Sequence, residues 1–305
     1  MALKIIFMGT PEFAVPSLNI LQDNGYEIAA VVTATDKWGG RGKKQLIRSA
    51  VANRAIELGL PLLQPESLKS PAFLESLKSY RADIQIVVAF RMLPEAVWAM
   101  PPLGTFNLHG SLLPQYRGAA PINWAVIQGE KETGLTTFRI QHEIDTGDLM
   151  FQAKLPISEN ETAGELHDRM MVLGAELVLK TVRAIESGDY HLQKQDDALA
   201  SKAPKLFHET CAIDFAQSTE KVHDFIRGLS PYPTAWTTLN GLELKIFRST
   251  KQHAQHNFVP GTILIDNKSY LKIATLDGFV EATELQLQGK KKMGVKDFLN
   301  GYQVS

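Results

Sequence analysis

The sequence predicts an α/β domain with a doubly wound, mostly parallel β-sheet, followed by a small antiparallel β-domain. Two observations lead to this fold class. Over residues 3–188, apolar strand-like runs alternate with helix-like segments, which is typical of a parallel sheet covered on both faces. From Leu206 onward, short apolar runs are separated by turn signals, which is typical of an antiparallel sheet or barrel.

The N-terminal part of the chain predicts strands and helices in alternation. Gly25 and Gly59 each follow a predicted helix directly, where glycine commonly ends helices. Ligands of doubly wound sheets bind beyond the carboxyl ends of the strands. A site is therefore expected where Asn107 and His109 follow a short apolar strand. Predicted strands cover residues 3–8, 28–33, 62–63 and 83–90, and predicted helices cover residues 13–24 and 48–58.

The clearest helix is predicted over residues 162–188. Thr162 and Glu165 have the spacing of a capping box, in which each residue satisfies the backbone of the other. Gly188 is the expected C-terminal stop. The side chains at helical spacing on one face are those of Leu166, Met170, Leu173, Leu177 and Thr181.

The remainder of the chain has a different pattern. Residues 189–205 are polar without periodicity, so we predict a linker there. Asn240-Gly241 is the signal of a two-residue hairpin turn. Strands are expected at residues 262–265 and 270–274, and a helix at residues 218–227. The predicted parts are an N-terminal domain at residues 1–188, the linker at 189–205 and a β-domain at 206–305.

Length and composition restrict the class of protein. The chain has 305 residues, 44% of them hydrophobic, which is enough for one large or two ordinary domains. Its net charge of -1 does not indicate a nucleic-acid partner, so any such contact must use a local basic patch. The single cysteine, Cys211, excludes an internal disulfide. The N-terminal apolar run is too short for a signal peptide, and no stretch approaches the roughly 18 apolar residues of a membrane span. We therefore expect a soluble cytoplasmic protein.

The segment between residues 105 and 150 carries the most chemistry. Asn107, His109 and Asp145 lie on or beside glycine- and proline-rich turns and supply a hydrogen-bond donor, a base and a carboxylate. Together they suit acyl or formyl transfer without a metal. The alternative is that Asn107 and His109 only satisfy backbone groups of a loop.

Two other patterns bear on cofactors and partners. The turn after the first strand, Gly9-Thr10-Pro11, lacks the G-x-G-x-x-G of dinucleotide enzymes, and the histidines show no metal-ligand spacing. Residues 37–44 carry four cations among three glycines. This stretch is either a solvated loop or a basic loop that contacts phosphates. Trp38 within it either stacks on a base or packs down.

Five stretches of the chain together form the pattern of a known family. They are 7–14 (FMGTPEFA), 41–44 (RGKK), 111–114 (SLLP) with 116–118 (YRG), 145–147 (DTG) and 230–236 (SPYPTAW). In these stretches the sequence resembles the methionyl-tRNA formyltransferases, and the resemblance covers essentially the whole chain. Residues 89–94, Ala-Phe-Arg-Met-Leu-Pro, depart from the Ala-Tyr-Gly that is common in that family, and residues 34–38 replace its Gln-Pro-Asp.

The resemblance implies a Rossmann-like catalytic domain followed by an OB-like, tRNA-binding accessory barrel. It implies transfer of a formyl group from 10-formyltetrahydrofolate to the α-amine of methionine on initiator tRNA, with no metal. The partners would be initiator methionyl-tRNA and the folate co-substrate, without a membrane, and the enzyme would be a monomer. The implied site residues are Asn107, His109 and Asp145 for catalysis; Ser111, Leu112, Leu113 and Pro114 for folate; and Arg41, Lys43 and Lys44 for tRNA.

Three other functions remain open from the sequence. A related folate-dependent enzyme could formylate a small amine, although the basic loop and the C-terminal domain argue against it. A hydrolase could release formate from the same folate, with water as the nucleophile. A non-catalytic tRNA-binding module would not require Asn107, His109 and Asp145 together.

Overall fold

The computed structural model describes residues 3–39 and 45–301. The chain divides into two compact units, each with dense internal contacts. The first unit consists of Met1–Gly118, Gly134–Leu155 and His167–Lys202. The second consists of Ala119–Thr133, Pro156–Leu166 and Ala203–Ser305. The domain boundaries proposed at residues 188 and 206 stay predictions.

Helices and strands alternate through the first part of the chain, and strands dominate the last part. The helices are α1 Val15–Asp23, α2 Ala50–Glu57, α3 Pro71–Ser79, α4 Glu95–Trp98, α5 Pro121–Ile127, α6 Ala163–Ser187, α7 Thr219–Gly228 and α8 Val295–Gly301. The first ten strands are β1 Lys4–Gly9, β2 Glu27–Val32, β3 Lys37–Gly39, β4 Gln45–Ile47, β5 Leu62–Leu63, β6 Ile84–Val88, β7 Thr105–His109, β8 Arg117–Gly118, β9 Glu132–Arg139 and β10 Leu149–Pro156. The others are β11 Lys202–Ala203, β12 Ala235–Leu239, β13 Leu242–His253, β14 Ile263–Ile265, β15 Leu271–Ala274, β16 Gly278–Leu287 and β17 Met293–Gly294.

The first unit is built on a seven-stranded sheet in the order β10-β9-β7-β6-β1-β2-β5. The pairs β1–β2, β1–β6, β2–β5 and β6–β7 are parallel, and β7–β9 is antiparallel. The strand order reverses between β1 and β6, which makes the sheet doubly wound. The predicted fold class is therefore confirmed. The carboxyl ends of β6 and β7 lie beside this reversal, where such sheets place their ligands.

The central strands β1, β2 and β6 are buried because their sequences are mostly apolar on both faces. All five residues of β6, from Ile84 to Val88, are buried. Residues two apart on one strand point to the same face of the sheet. Ile6 and Met8 of β1 therefore lie in one cluster with Phe73 and Leu77 of α3. The continuous apolar runs of the sequence thus correspond to strands covered on both sides.

The predicted helices are present, and local interactions at their N-termini determine the residue at which each one begins. The helix expected at residues 13–24 begins as a 3-10 turn at Glu12–Ala14, and α1 starts at Val15. Pro16 then falls in the first helical turn, where its missing N–H costs nothing. The helix expected at residues 48–58 starts at Ala50 because Ser49 caps it: the Ser49 hydroxyl accepts the Ala52 N–H at 3.0 Å.

The long helix α6 has the predicted cap and the predicted face. The Thr162 N–H donates to the Glu165 carboxylate at 2.9 Å, and the Glu165 N–H donates to the Thr162 hydroxyl at 3.2 Å. This reciprocal pair is the capping box. Gly188 ends the helix with a φ of +72°. On the predicted face, the buried residues are Leu166, Met170, Leu177 and Thr181, and Leu173 is half-buried.

The second unit is built on an antiparallel sheet in the order β12-β13-β16-β15-β14, with β17 paired to β16. The Asn240-Gly241 turn joins β12 to β13 with φ values of 50° and 78°, as the two-residue hairpin predicts. The pairing of β13 with β16 shifts register on both sides of Arg248. Such irregularities bend a strand, so the twelve-residue β13 can follow the curled sheet. The antiparallel, OB-like second domain is confirmed.

Within the part of the chain that the structure describes, no helix is long and apolar enough to cross a membrane.

One buried histidine in the second unit is held in its neutral form. The His223 side chain on α7 is 2% exposed, and its Nδ1 lies 3.0 Å from the Ser249 hydroxyl. Its Nε2 is buried and has no hydrogen-bond partner among residues 3–39 and 45–301. Burial, followed by the positive charges of Lys251 and Arg227, lowers the pKa of His223 to about 4. The carboxylates of Glu220 and Glu159 act in the opposite direction but are weaker causes.

This histidine should make the protein less stable in mild acid. Its ordinary pKa is about 6.5, so between about pH 6.5 and 4 the unfolded chain binds a proton that the folded chain does not. The contribution of neutral His223 is therefore fully present above pH 6.5 and is lost as the pH falls, by about 2 kcal/mol at pH 5.

The measurement is urea unfolding of the wild type and of His223→Asn at pH 7 and pH 5. The asparagine amide keeps a partner for Ser249 but does not titrate. The variant should therefore lose less stability than the wild type on acidification. If the two proteins lose the same free energy of unfolding, His223 is not the responsible group.

Candidate active site

Asn107 and His109 project from the carboxyl end of β7. This strand pairs in parallel with β6, where Val87 lies opposite Asn107, and in antiparallel with β9, where Thr136 lies opposite His109. Residues two apart on a strand point to the same face. The Asn-x-His spacing therefore places both side chains on one face of the sheet, at the edge where a ligand is expected.

The Asn107 side-chain amide is available to a ligand. Asn107 is half-buried, and its amide makes no hydrogen bond to any other residue that the structure describes. A loop-stabilising role would use this amide on nearby backbone groups. The structure does not show such a use.

His109 is held by a backbone carbonyl and faces a carboxylate. Its side chain is 6% exposed, its Nε2 lies 2.9 Å from the Tyr116 carbonyl oxygen, and its Nδ1 lies 3.7 Å from Oδ2 of Asp145. A carbonyl oxygen can only accept, so Nε2 carries a hydrogen. In the neutral ring, Nδ1 is then the basic nitrogen. A proton taken up at Nδ1 would face the Asp145 carboxylate.

Asp145 is fixed at its carboxylate and at its backbone. Oδ2 accepts the Gly118 N–H at 2.9 Å, and the side chain is 12% exposed. The residue has a φ of 57°, in the left-handed region that non-glycine residues rarely adopt. The Gln195 side-chain amide donates to the carbonyls of Asp145 and Gly147, both at 2.8 Å. These contacts hold the aspartate where it faces His109.

The turn at residues 111–114 is tied down from within. The Ser111 hydroxyl donates to the Gln115 carbonyl at 2.6 Å, and the Leu113–Pro114 peptide is cis. Thr136 accepts the Leu113 N–H at 3.1 Å and donates to the Ser111 carbonyl at 2.6 Å. Because Ser111 and Leu113 are buried and Leu112 and Pro114 are half-buried, the last two side chains are the more accessible.

The basic residues Arg41, Lys43 and Lys44 lie outside the described residues. The strands on either side of them, β3 and β4, pair in antiparallel, and Trp38 lies opposite Leu46. Trp38 is 66% exposed and Ile47 is 52% exposed. The Trp38 ring is therefore not packed against the rest of the protein, and it is accessible to a partner.

Arg117 belongs to the motif at residues 116–118, but sequence reasoning missed its partner Gln195, which supports this site. Arg117 donates to the Gln195 side-chain oxygen through Nε at 3.0 Å and through a terminal nitrogen at 2.8 Å. The same terminal nitrogen lies 2.7 Å from Asp197. Gln195 belongs to a polar segment without periodicity, and no local pattern marks it as part of a site. Among the described residues, no group of His, Cys, Asp and Glu is arranged to hold a metal ion.

Comparison with known proteins defines the class of this chain. The formyl transferase family matches residues 3–182, and the C-terminal domain family of formyl transferases matches residues 205–303. A methionyl-tRNA formyltransferase of Parabacteroides distasonis is 53% identical over 310 residues, which cover 98% of this chain and 96% of the relative. The chain belongs to the methionyl-tRNA formyltransferase family.

Solved structures share the fold. WlaRD, a sugar 3N-formyl transferase solved in the presence of dTDP and 5-N-formyl-THF, matches with a TM-score of 0.69 at 22% identity, over 95% of this chain and 100% of that one. The methionyl-tRNA formyltransferase of Clostridium thermocellum matches with a TM-score of 0.57 at 16% identity, over 82% of this chain and 94% of that one. At these identities, the likeness concerns the fold alone.

Gly147→Ala should displace the aspartate loop, the segment at residues 140–148 that joins β9 to β10 and carries Asp145. An added Cβ would lie 1.7 Å from the Arg139 carbonyl oxygen, so the backbone around Asp145 must move. A displacement of about 1 Å can cost about 100-fold in rate, and we expect a loss of that order in kcat for formyl transfer.

The matched control is Gly294→Ala, because a Cβ there would meet nothing nearer than the Thr283 carbonyl at 3.9 Å. This variant should keep the wild-type rate. Equal rates in the two alanine variants would show that the packing of the aspartate loop does not matter for turnover.

Proposed function

We propose that this protein transfers the formyl group of 10-formyltetrahydrofolate to the α-amine of methionine on initiator tRNA. Membership in the methionyl-tRNA formyltransferase family supports the reaction. The observation that carries the proposal is the arrangement of Asn107, His109 and Asp145. An amide with no hydrogen-bond partner in the described part of the chain lies two residues from an imidazole that faces a carboxylate. The resemblance of the motifs supports the donor, the initiator tRNA and a monomeric state, and the short N-terminal apolar run supports a cytoplasmic location.

Formyl transfer to an amine needs the groups that this site provides. The amine nitrogen attacks the formyl carbon, an oxyanion develops, and the bond from carbon to N10 of the folate breaks as N10 gains a proton. The Asn107 amide would donate to the oxyanion. His109 would accept the amine proton at Nδ1, directly or through a water, and could return it to the leaving nitrogen. The Asp145 carboxylate, 3.7 Å away, would stabilise the imidazolium that forms.

In the alternative role, Asn107 and His109 only satisfy backbone groups of the loop. This role explains some of the observed contacts but not all of them. His109 does hold the Tyr116 carbonyl. That bond leaves Nδ1 and the Asn107 amide unexplained, whereas a reacting carbonyl and an amine would use both. The reaction is therefore the better account of the site.

We infer that the turn at residues 111–114 contacts the folate. Its internal hydrogen bonds make it a rigid wall next to β7, and Leu112 and Pro114 keep accessible surface. The solved sugar formyl transferase that shares the fold was crystallised with a folate derivative, which supports a folate as the formyl donor here.

The function is tested by incubating the protein with 10-formyltetrahydrofolate and one acceptor at a time. Methionyl-tRNA should be formylated, whereas free methionine and an amino sugar should not. Formate released without an acceptor would support the hydrolase, and formylation of the small amine in preference to methionyl-tRNA would support the other transferase.

His109→Ala should lower kcat with little effect on folding. Loss of a positioned acid–base group typically costs about 10²- to 10⁴-fold in rate. His191→Ala is the control, since His191 is an exposed histidine of the same unit. The measurement is steady-state formylation of methionyl-tRNA. Nearly full turnover in His109→Ala would remove this residue from the mechanism.

Asp145→Asn should impair catalysis more than binding. The amide keeps the shape of the side chain, but it loses the charge that stabilises an imidazolium. We expect kcat to fall about 10- to 100-fold while the Kd of 5-formyltetrahydrofolate stays near the wild-type value. A Kd that weakens as steeply as kcat falls would make Asp145 a binding residue instead.

The basic loop should serve the tRNA. Neutralising Arg41, Lys43 and Lys44 to glutamine should raise the KM for methionyl-tRNA and leave the KM for folate unchanged. The log–log dependence of tRNA binding on salt should become shallower by roughly 0.7–0.9 for each phosphate contact that is lost. Because the net charge is only -1, no global positive field can replace this patch.

The matched control changes Lys69, Lys78 and Arg81 to glutamine. These three side chains are exposed, and replacing them removes the same amount of positive charge. If the loop and control variants have the same tRNA kinetics at two ionic strengths, the loop is only a solvated surface.

A further inference from the structure

We propose that Gln195 is a positioning residue for Asp145, and that residues 195–201 act as a clamp on both neighbours of His109. This inference rests on the proposed function of Asp145. It assigns a role in the reaction to a stretch for which the sequence predicts only a linker. The clamp contacts the aspartate loop on one side and the strand β8 with Tyr116 on the other.

The Gln195 side chain joins these two elements with four hydrogen bonds. Its nitrogen donates to the carbonyls of Asp145 and Gly147, both at 2.8 Å. Its oxygen accepts two N–H groups of Arg117, at 3.0 and 2.8 Å. Two donors and an oxygen that accepts twice use the hydrogen-bonding capacity of a carboxamide fully. A carboxylate would keep the Arg117 contacts and lose both donations.

These bonds form a closed ring around Asp145. Gln195 binds the Asp145 carbonyl and the Arg117 side chain, and the next residue after Arg117 is Gly118, whose N–H holds the Asp145 carboxylate at 2.9 Å. The ring thus fixes the backbone and the side chain of one residue. A non-glycine residue at a φ of 57° persists only where its surroundings hold it, and Gln195 supplies that restraint.

The far end of the clamp holds the other partner of His109. The Ser201 hydroxyl accepts the Tyr116 N–H at 2.8 Å, and the Ser201 carbonyl accepts the Arg117 N–H at 2.9 Å. Tyr116 has a φ of 58° and presents its carbonyl to the His109 ring. Both groups that face the imidazole, the Tyr116 carbonyl and the Asp145 carboxylate, are therefore positioned by one short segment.

The test begins with Gln195→Glu and the control Gln255→Glu, which makes the same change at an exposed glutamine of the second unit. Gln195→Glu should lower kcat for methionyl-tRNA formylation about 10- to 100-fold, because Asp145 is displaced. The KM values for folate and tRNA should change less than about twofold, since in this proposal Gln195 acts on the reaction through Asp145 and not through substrate binding. The control should match the wild type. If Gln195→Glu does not fold, Gln195→Ala removes all four hydrogen bonds without placing a carboxylate beside the carbonyls of Asp145 and Gly147.

A double-mutant cycle separates positioning from a general structural role. If Gln195 acts through Asp145, then Gln195→Glu should cost less than about threefold in kcat when Asp145→Asn is already present. If the two losses multiply instead, Gln195 acts independently of Asp145 and the proposal is wrong.

Hydrogen exchange gives a readout that does not depend on activity. In Gln195→Glu, the Gly118 amide should exchange faster, because its acceptor has moved, whereas in Gln255→Glu it should not. An unchanged Gly118 amide would contradict the clamp. A wild type that fails to formylate methionyl-tRNA would contradict the proposed function, and the exchange result would still decide for or against the clamp.

Discussion

The hydrogen bond from His109 to the Tyr116 carbonyl is the constraint on which the rest of the site depends. It uses Nε2 as a donor and so leaves Nδ1 as the basic nitrogen of the neutral ring. The Asp145 carboxylate faces that same nitrogen at 3.7 Å. One backbone carbonyl therefore determines which end of the imidazole can take a proton and where the resulting charge is stabilised. The Asn107 amide, two residues away on the same face of β7, remains available for the opposite charge.

Much of this could be predicted from the sequence because the patterns are local. The alternation of apolar runs with helical segments predicted the doubly wound sheet, and the capping box and the Asn-Gly turn predicted the ends of particular elements. A site was expected at the carboxyl end of the strand that carries Asn107 and His109, and the structure places both residues at that end of β7. The sequence predicted His109 and Asp145 as the base and the carboxylate of one site, and the structure places the two side chains close enough to form an ion pair.

The supporting contacts could not be predicted, and the reason is physical. Gln195 contacts residues 48 to 78 positions earlier in the chain. A single long-range side-chain contact produces no periodic pattern and no bias of composition in the sequence. The carbonyl of Tyr116 is a backbone group that every residue possesses, so the sequence cannot mark it. Thr136 likewise has the sequence context of an ordinary strand residue, although its hydroxyl forms hydrogen bonds to the turn at residues 111–114.

The most direct test of this account is the tautomer of His109. Nitrogen-15 spectra of the protein with labelled histidine, compared with those of His109→Ala at alkaline pH where imidazole rings are neutral, identify the signals of this ring. The account predicts that Nε2 carries the hydrogen and that Nδ1 is bare. A ring with its hydrogen on Nδ1 would contradict it, because His109 would then have no basic nitrogen facing Asp145.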